Sequence, residues 1–457
     1  MSAASVLRHL SFDSHAYDLG IFTNALWNIA HGHGFFSSVK DGISLLSDHQ
    51  SPLLALFAPI FRIFPDPVVL LVFQGVGLAA GAFPLYRLAR QYEAGEWSAA
   101  LPLFYWAWLP LRNANAFDFH PEVFMLPLFL AAIAGLQSPR GRSRVLGAIA
   151  FMLALGAKES AGPVAFGIGL SWLLGAGPSQ TRDWTRKLGA VAAMLGLAVF
   201  VFDIKVVPAQ VLSASRYAYE GLYEQYGGGL TGILLAPVRM PALFFSQLFG
   251  HERLKFLFWT LAPLGFLPLL NWRALPAALP GYLMLFLSAG SHRVNLQYHY
   301  AIEPGVGLFW ALPGACAVLR RWQPRAPRRK IWATALVIFI AACTFGRGEM
   351  TRIRREWPDA YDRWRVSKFI PCVDPDLSLA VTDAELPHLA TRAWVHLPNS
   401  RVDGSGKPVS CVVLDREHFD VSAYQRVYAC GGLEVYAWGG AHCMRCDPGC
   451  GPDALSR

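Results

Sequence analysis

The chain of 457 residues is 54% hydrophobic and only 16% charged, with a mean hydropathy of +0.33. Soluble globular chains carry about 25% charged residues, so a soluble enzyme is excluded and most of this sequence is matched to lipid. The formal charge of +9 does not mark a nucleic-acid binder, because the basic residues come in short clusters between apolar runs, as in cytoplasmic loops.

The first element is "YDLGIFTNALWN" at 17–28. Leu19, Phe22, Leu26 and Ile29 recur at helical spacing, which predicts an amphipathic helix over 19–30. Asp18 stands just before it and is either its N-cap or a functional carboxylate; no capping box follows, since Ile21 holds the third position. His31 and His33 flank Gly32 and read as structural. "DHQSPLLALFAPIF" then opens a second helix, with Ser51 as cap and Pro52 as first residue. That leaves Asp48 and His49 free to face a ligand.

Apolar runs predict spans at 68–86, 97–111, 122–137, 145–157, 161–176, 188–207, 254–270, 274–289, 300–319 and 331–346. Gly75, Gly77 and Gly81 lie in the first of these and read as sites of close helix packing. Basic clusters fall at every second junction: Arg87 and Arg90; Arg140, Arg142 and Arg144; Arg182, Arg186 and Lys187; Arg273; and "RRWQPRAPRRK" at 320–330. These junctions are cytoplasmic by the positive-inside rule. The run around Lys158 and Glu159 has positive flanks on both sides, so the chain must turn there. Charges at a bilayer centre cost ~2.5–3.5 kcal/mol each, whereas at a hairpin apex they meet water; Gly162-Pro163 reads as the break.

The outside face then collects residues 1–52, "RNANAFDFHPE" (112–122), Lys158-Glu159, a long Tyr-rich loop from 208 to 252, "SHRVNLQYHY" (291–300) and everything after 346. Candidate ligand residues on it are Asp48, His49, Asp118, His120, Glu122, Lys158, Arg216, Arg293 and His299. Each has a plainer reading. Glu122 suits a helix N-terminus, Lys158-Glu159 suits a mutual ion pair, His299 suits a structural group, and the tyrosines suit a membrane interface. Because residues 1–52 fall outside with no apolar run before them, a further span encoded upstream of Met1 is expected.

Residues 347–457 read as a small extracytoplasmic α/β domain. "LSLAVTD", "AWVHLP", "SCVVLD" and "LEVYAWG" are its expected strands and "AELPHLA" a helical turn. Its six cysteines suggest disulfides, with zinc at "HCMRCDPGC" as the alternative. "DGSGKP" lacks the spacing and the hydroxyl residue of a P-loop.

"YDLGIFTNALWN", "DHQSPLLALFAP", "FQGVGLAAGAFPLYRLA", "DFHPE", "KES" and "HYAIEP", with the later "AVTDAELPHLATR" and "SCVVLD", together resemble the prokaryotic multi-pass proteins grouped as domain of unknown function 2079, and through them the GT-C glycosyltransferases. The resemblance implies an α-helical polytopic membrane protein, GT-C-like, with about ten visible spans over 53–346, a first loop at 1–52 and the α/β domain at 347–457. It implies sugar transfer on the outer face of the cell (inner) membrane from a polyprenyl-phosphate donor, with membrane lipid as partner, no nucleic acid and no cofactor or metal. Asp18 would be the general base and Glu159 the second candidate; Lys158, Arg216 or Arg293 would neutralise the lipid phosphate, and Asp48 or His49 would orient the substrate. A transporter or flippase of a lipid-linked or anionic solute, or a non-catalytic assembly or sensing protein, are the alternatives. The acceptor is not indicated.

Overall fold

The computed structural model of the protein describes residues 2–40, 42–211, 217–290, 292–322, 330, 332, 334, 357–399, 402–403, 406–417, 419–430 and 432–451. Helices occupy most of the chain up to Trp322, and a small five-stranded sheet follows. Among the described residues, three helices are long and apolar enough to cross a membrane: Pro67–Gln91, Ser179–Pro208 and His299–Trp322. The pair Glu220–Arg239 and Pro241–Leu264, bent by 100°, makes a fourth if counted as one span.

The remaining expected spans are shorter or broken. The run expected at 97–111 stops at Trp108, whose backbone is extended, and Pro110 helps to open the next helix, Leu109–Ala116. The run at 274–289 begins within the 3-10 stretch Leu267–Ala277 and continues as the short helix Leu279–Leu287. The span expected at 331–346 lies almost wholly outside the described residues.

Two expectations are corrected. The segment 208–252 is not one long loop: it contains helices Gly229–Arg239 and Pro241–Leu248, because "GLTGILLAPVR" and "PALFFSQL" are apolar enough to coat a membrane surface. Their side chains Leu234, Val238, Phe245 and Phe249 are exposed accordingly. The hairpin break is also not at Gly162-Pro163. Helix Gly141–Leu155 ends at Gly156, the turn holds Lys158 and Glu159, and helix Ala161–Leu173 has already begun. Pro163 sits in its first turn, where a missing N–H breaks no helical bond.

Glycines set the closest helix contacts. A Cβ added to Gly162 would lie 2.7 Å from the carbonyl oxygen of Gly196, and one on Gly196 would lie 2.5 Å from that of Gly162. Gly189 meets Gly169 in the same way at 2.7 Å. Helices Ala161–Leu173 and Arg182–Val201 are thereby packed backbone to backbone. Gly75, Gly77 and Gly81 also admit close neighbours, namely Ser2, Phe124 and Tyr105.

The bundle has two unlike ends. At one, Gln91 donates to the Ala134 carbonyl, Trp184 to that of Leu136 and Arg320 to that of Glu93, which gathers the arginine clusters near 140, 182 and 320. At the other, Leu53 N–H donates to Gly156 O, Ser51 Oγ to Ala157 O and Asn113 to Leu296 O. Pro52 is the first residue of its helical turn, but the Ser51 hydroxyl is used in that cross-contact and caps nothing. This second end carries the acidic and histidine residues.

A two-residue hairpin, β1 (Phe36–Ser37) with β2 (Ile43–Ser44), precedes the bundle. The terminal sheet comprises β3 (Leu379–Val381), β4 (Val395–His396), β5 (Cys411–Asp415), β6 (Gln425–Cys430) and β7 (Leu433–Ala437), in the order β4-β3-β5-β7-β6. β3 is parallel to β4 and β5, and β7 is antiparallel to β5 and β6. β3 and β5 are buried on both faces, and both are continuous apolar runs. Disulfides Cys372–Cys446, Cys411–Cys443 and Cys430–Cys450 staple this small sheet. No thiolate remains in "HCMRCDPGC" for zinc.

Candidate active site

The helix expected over 19–30 is regular only over Ile21–Ala30; the wider π turn Ala16–Gly20 leads into it. In that turn the Gly20 amide reaches back to the His15 carbonyl at 3.2 Å. The exposed donors at its start are capped from far along the chain. Asp383 accepts from Ala16 N–H at 2.8 Å, and Asp118 accepts from His15 N–H at 2.9 Å. Asp18 is therefore not the cap.

Among the described residues, the Asp18 carboxylate has one polar side-chain partner, His120, whose Nε2 lies 3.1 Å from Oδ1. The Asp18 side chain is 27% exposed. Burial pushes its carboxyl up, but the His120 hydrogen bond and the charge of His120, with His15 adding to it, outweigh that and hold it below the usual range. The His120 Nδ1 faces the carbonyl of Asp118 at 3.0 Å. With an oxygen at both ring nitrogens, His120 is suited to the doubly protonated form. Its pKa is raised: burial lowers it, while the bond to Asp18 and the charges of Glu122 and Asp18 prevail.

From His120 a buried chain of contacts runs inward. The His120 ring stacks on His299 with centroids 3.8 Å apart. His299 Nε2 lies 2.8 Å from Glu122 Oε1, and Lys158 Nζ donates to the same oxygen at 2.6 Å. Lys158 is thus paired with Glu122 and not with its sequence neighbour. Burial alone would lower the Lys158 ammonium, but Glu122, Glu159 and Glu303 raise it above the ordinary lysine value. Ser160 closes the group by donating to Glu303 at 2.5 Å.

Glu159 belongs to a second branch. It accepts from Gln50 N–H at 3.1 Å and from the Tyr217 hydroxyl, and His49 Nδ1 stands 3.6 Å away. Burial raises Glu159, yet His49, Lys158 and Tyr217 hold it down at about 2. The Tyr219 hydroxyl donates to Asp48 at 2.8 Å and faces His49 Nε2 at 3.1 Å, and Lys40 pairs with the other Asp48 oxygen at 2.7 Å.

Both branches border one cavity of about 400 Å³. Its charged end is formed by Lys158, Glu159 and Arg293, whose guanidinium lies 5.5 Å from the ring centroids of both Tyr219 and Tyr300. Among the described residues Arg293 has no carboxylate partner, and its Nε is buried without a hydrogen bond. The rest of the wall is largely apolar and comes from Phe200, Ile204, Ile233 and Leu283, among others, with Lys205, Glu220 and Glu303 also on it.

The structure thus joins Asp18, His120, His299, Glu122 and Lys158 in one chain. Around the cavity it adds Glu159, His49 and Arg293, with Asp48 behind them on the Tyr219 hydroxyl. Asp118 is 1% exposed, with one oxygen on Arg8 at 2.8 Å and the other on His15 N–H; it does not line that cavity. Arg216 lies outside the described residues. Sequence reasoning missed Gln74, whose Oε1 accepts from His120 N–H at 3.0 Å. A polar amide within the apolar run "LVFQGVGL" was the available signal, since such a group needs an internal partner. The Tyr-rich loop marked Tyr217 and Tyr219 only as a group, as a membrane-interface or ligand-recognition surface, and Asp383 was not marked as a site residue. Among the described residues, no three His, Cys, Asp or Glu side chains are placed to hold a metal ion.

The overall arrangement is similar to that of ArnT from Cupriavidus metallidurans. The crystal structure of ArnT bound to undecaprenyl phosphate aligns with a TM-score of 0.52 at 13% identity, and the apo structure with 0.52 at 15%. Each alignment covers 95% of this chain and 96% of that one. At this identity the likeness is one of fold. No curated protein matches the sequence. The model of one family, described as "Predicted membrane protein (DUF2079)", matches residues 8–411. With nearly the whole length so matched, the chain belongs to that family.

Proposed function

We propose that this protein is a membrane glycosyltransferase of GT-C architecture, moving a sugar from a polyprenyl-phosphate donor to an acceptor on the extracytoplasmic face of the cell membrane. One observation carries the reading. The buried chain from Asp18 to Lys158 ends on a cavity with a charged end, where Lys158 and Arg293 stand beside Glu159 and Glu303, and a largely apolar wall. Undecaprenyl phosphate, which ArnT binds in one of the similar structures, has the matching chemistry of an anionic head on an apolar tail.

In this scheme Asp18 takes the proton of the acceptor hydroxyl as its oxygen attacks the anomeric carbon. The bond from that carbon to the phosphate oxygen breaks, and the lipid phosphate leaves with the electron pair. Lys158 and Arg293, with Arg216 as a further candidate, offset its charge. His120, His299 and Glu122 link the base to the charged end, while Asp48 and His49 orient the donor. Glu159 accepts from Gln50 N–H and the Tyr217 hydroxyl, with His49 beside it, and suits a positioning role. The lipid phosphate is a competent leaving group, so the scheme calls on no cofactor.

The arginine-rich end is assigned to the cytoplasm by charge. On the same reading, residues 1–52 and 347–457 are extracytoplasmic and the transmembrane part lies within 53–346. Purified protein in lipid nanodiscs, given undecaprenyl-phosphate sugars and a membrane extract as acceptor, is expected to release undecaprenyl phosphate. No release with any donor, together with movement of the intact lipid between leaflets, would favour a flippase instead. Absence of both would favour assembly or sensing.

A further inference from the structure

The turn that carries Asp18 is held by two carboxylates from distant parts of the fold. Asp118, just after helix Leu109–Ala116, accepts from the His15 amide, and it is itself fixed by Arg8. Asp383, which directly follows β3 in the terminal sheet, accepts from the Ala16 amide with Oδ1 and faces His15 Nδ1 with Oδ2, each at 2.8 Å. A π turn leaves more amides unpaired at its start than it closes. Without these acceptors, nothing local selects it over an ordinary helical start.

Other contacts seat the sheet domain against the same turn. A Cβ on Gly20 would lie 2.6 Å from Leu386, so glycine is what lets helix Leu386–Leu389 approach. Asn24 donates to the carbonyls of Ala390 and Arg392, at 3.1 and 2.8 Å. The Ser38 hydroxyl both donates to Val395 O and accepts from Val395 N–H. His388 stacks on His9 and Phe12, and its Nε2 lies 3.0 Å from the His9 carbonyl. These are directional polar contacts, and they fix where the turn sits relative to the sheet.

From this geometry we infer that Asp383 is a positioning residue for Asp18, and that the C-terminal sheet domain is a working part of the catalytic site. The inference rests on the reading of Asp18 as base. Asp383 touches neither cavity wall nor Asp18. It acts through the backbone of residues 15–16, which sets the direction from which the Asp18 carboxylate meets His120. A displacement of about 1 Å at such a group costs on the order of 10²-fold in rate.

The test uses the full chain in nanodiscs, with Asp383→Ala, Asp383→Asn and Asp18→Asn. Asparagine still offers a carbonyl to the Ala16 amide, whereas alanine does not. Hydrogen–deuterium exchange over residues 15–20 should rise about tenfold or more in Asp383→Ala and stay near wild type in Asp383→Asn. Turnover of whichever undecaprenyl-phosphate sugar the wild type uses should fall roughly 10–100-fold in Asp383→Ala. The fall should be in kcat, with KM for the donor unchanged, and Asp383→Asn should restore most of it. Unchanged exchange in Asp383→Ala overturns the inference, as does faster exchange at wild-type turnover. An equal loss in Asp383→Ala and Asp383→Asn would replace the clamp with a requirement for charge and also overturns it. Wild-type turnover in Asp18→Asn removes the base assignment itself, whatever the Asp383 variants do. If no donor turns over, the proposed function has failed, and the exchange result alone decides whether Asp383 holds the turn.

Discussion

His120 lies flat against His299, with ring centroids 3.8 Å apart and planes 26° from parallel, and each imidazole turns Nε2 to a different carboxylate. Two imidazolium rings in face contact repel, so the stack holds a single proton. That proton belongs on His120, because both of its nitrogens face oxygens, whereas His299 Nδ1 is buried with no partner. The stack therefore presents Asp18 with a cation that is already in place and keeps its carboxylate ionised.

Asp18→Asn tests the base directly. Because Asp383 and Asp118 cap the turn, the substitution removes only charge and proton affinity. Turnover should fall by ~10²–10⁴-fold while expression stays near wild type and thermal stability drops only modestly, since Asn keeps an oxygen for His120 Nε2 but loses the charge. Wild-type rates at equal expression would move the base elsewhere.

Lys158→Met leaves Glu122 buried with one cationic partner fewer. Breaking a buried pair from one side costs about 3–5 kcal/mol, so the melting temperature should drop sharply. Adding Glu122→Gln should recover much of that stability while leaving donor binding impaired. A double variant no more stable than Lys158→Met would show that the two side chains are not coupled.

The interface between helix Ser2–Leu10 and helix Leu386–Leu389 is expected to weaken in acid. Burial and Arg8 lower His9 to about 3, and burial, His9 and Arg365 hold His388 well below the usual histidine value. Both are neutral when folded and protonate more readily when unfolded. Their stabilisation is complete above the unfolded value near 6.5 and is lost as pH falls towards 3. The loss is up to ~1.4 kcal/mol per unit and histidine. Thermal unfolding between pH 7 and 4.5 should show the decline, and His388→Phe should flatten it. An identical pH slope in that variant would exclude the stack as its origin.

All six C-terminal cysteines should resist alkylation until reduced, whereas Cys316, a buried free thiol, should react only after unfolding. The Cys411–Cys443 bridge joins β5 to the chain that follows β7, so Cys411→Ala with Cys443→Ala should cost about 2–4 kcal/mol. Mass spectrometry with and without reductant, and melting of the double variant, check both statements. Six free thiols in the native protein would contradict the pairing.

Much of the site was legible because burying charge in an apolar chain is expensive. Asp18, Asp48, His120, Glu122, Lys158 and Glu159 stand out against lipid-like sequence, and the structure brings them to one end of the bundle. Their partners were not legible. "KES" suggests that Lys158 pairs with Glu159, but the tight turn points the two side chains to opposite branches. Asp118 looks like Glu122 in "DFHPE", yet Arg8 and His15, about a hundred residues away, capture it. β6 was missed because "QRVYAC" is an edge strand, mostly exposed and without the apolar alternation that marked its neighbours. The helices after Gly229 were hidden by the tyrosines and glycines before them, which read as loop.

The glycine contacts between helices Ala161–Leu173 and Arg182–Val201 have a mechanical consequence. Pro163 and Phe200, on these two helices, line the cavity, and opposite them stand Ile233 and Leu234 of the bent pair. Backbones in direct contact leave no side chains between them that could yield, so the first wall acts as a fixed jaw. The bent pair joins its two arms only at the break near Met240, and its outer side chains are exposed. Any widening to admit a bulkier guest therefore falls to that hinged jaw.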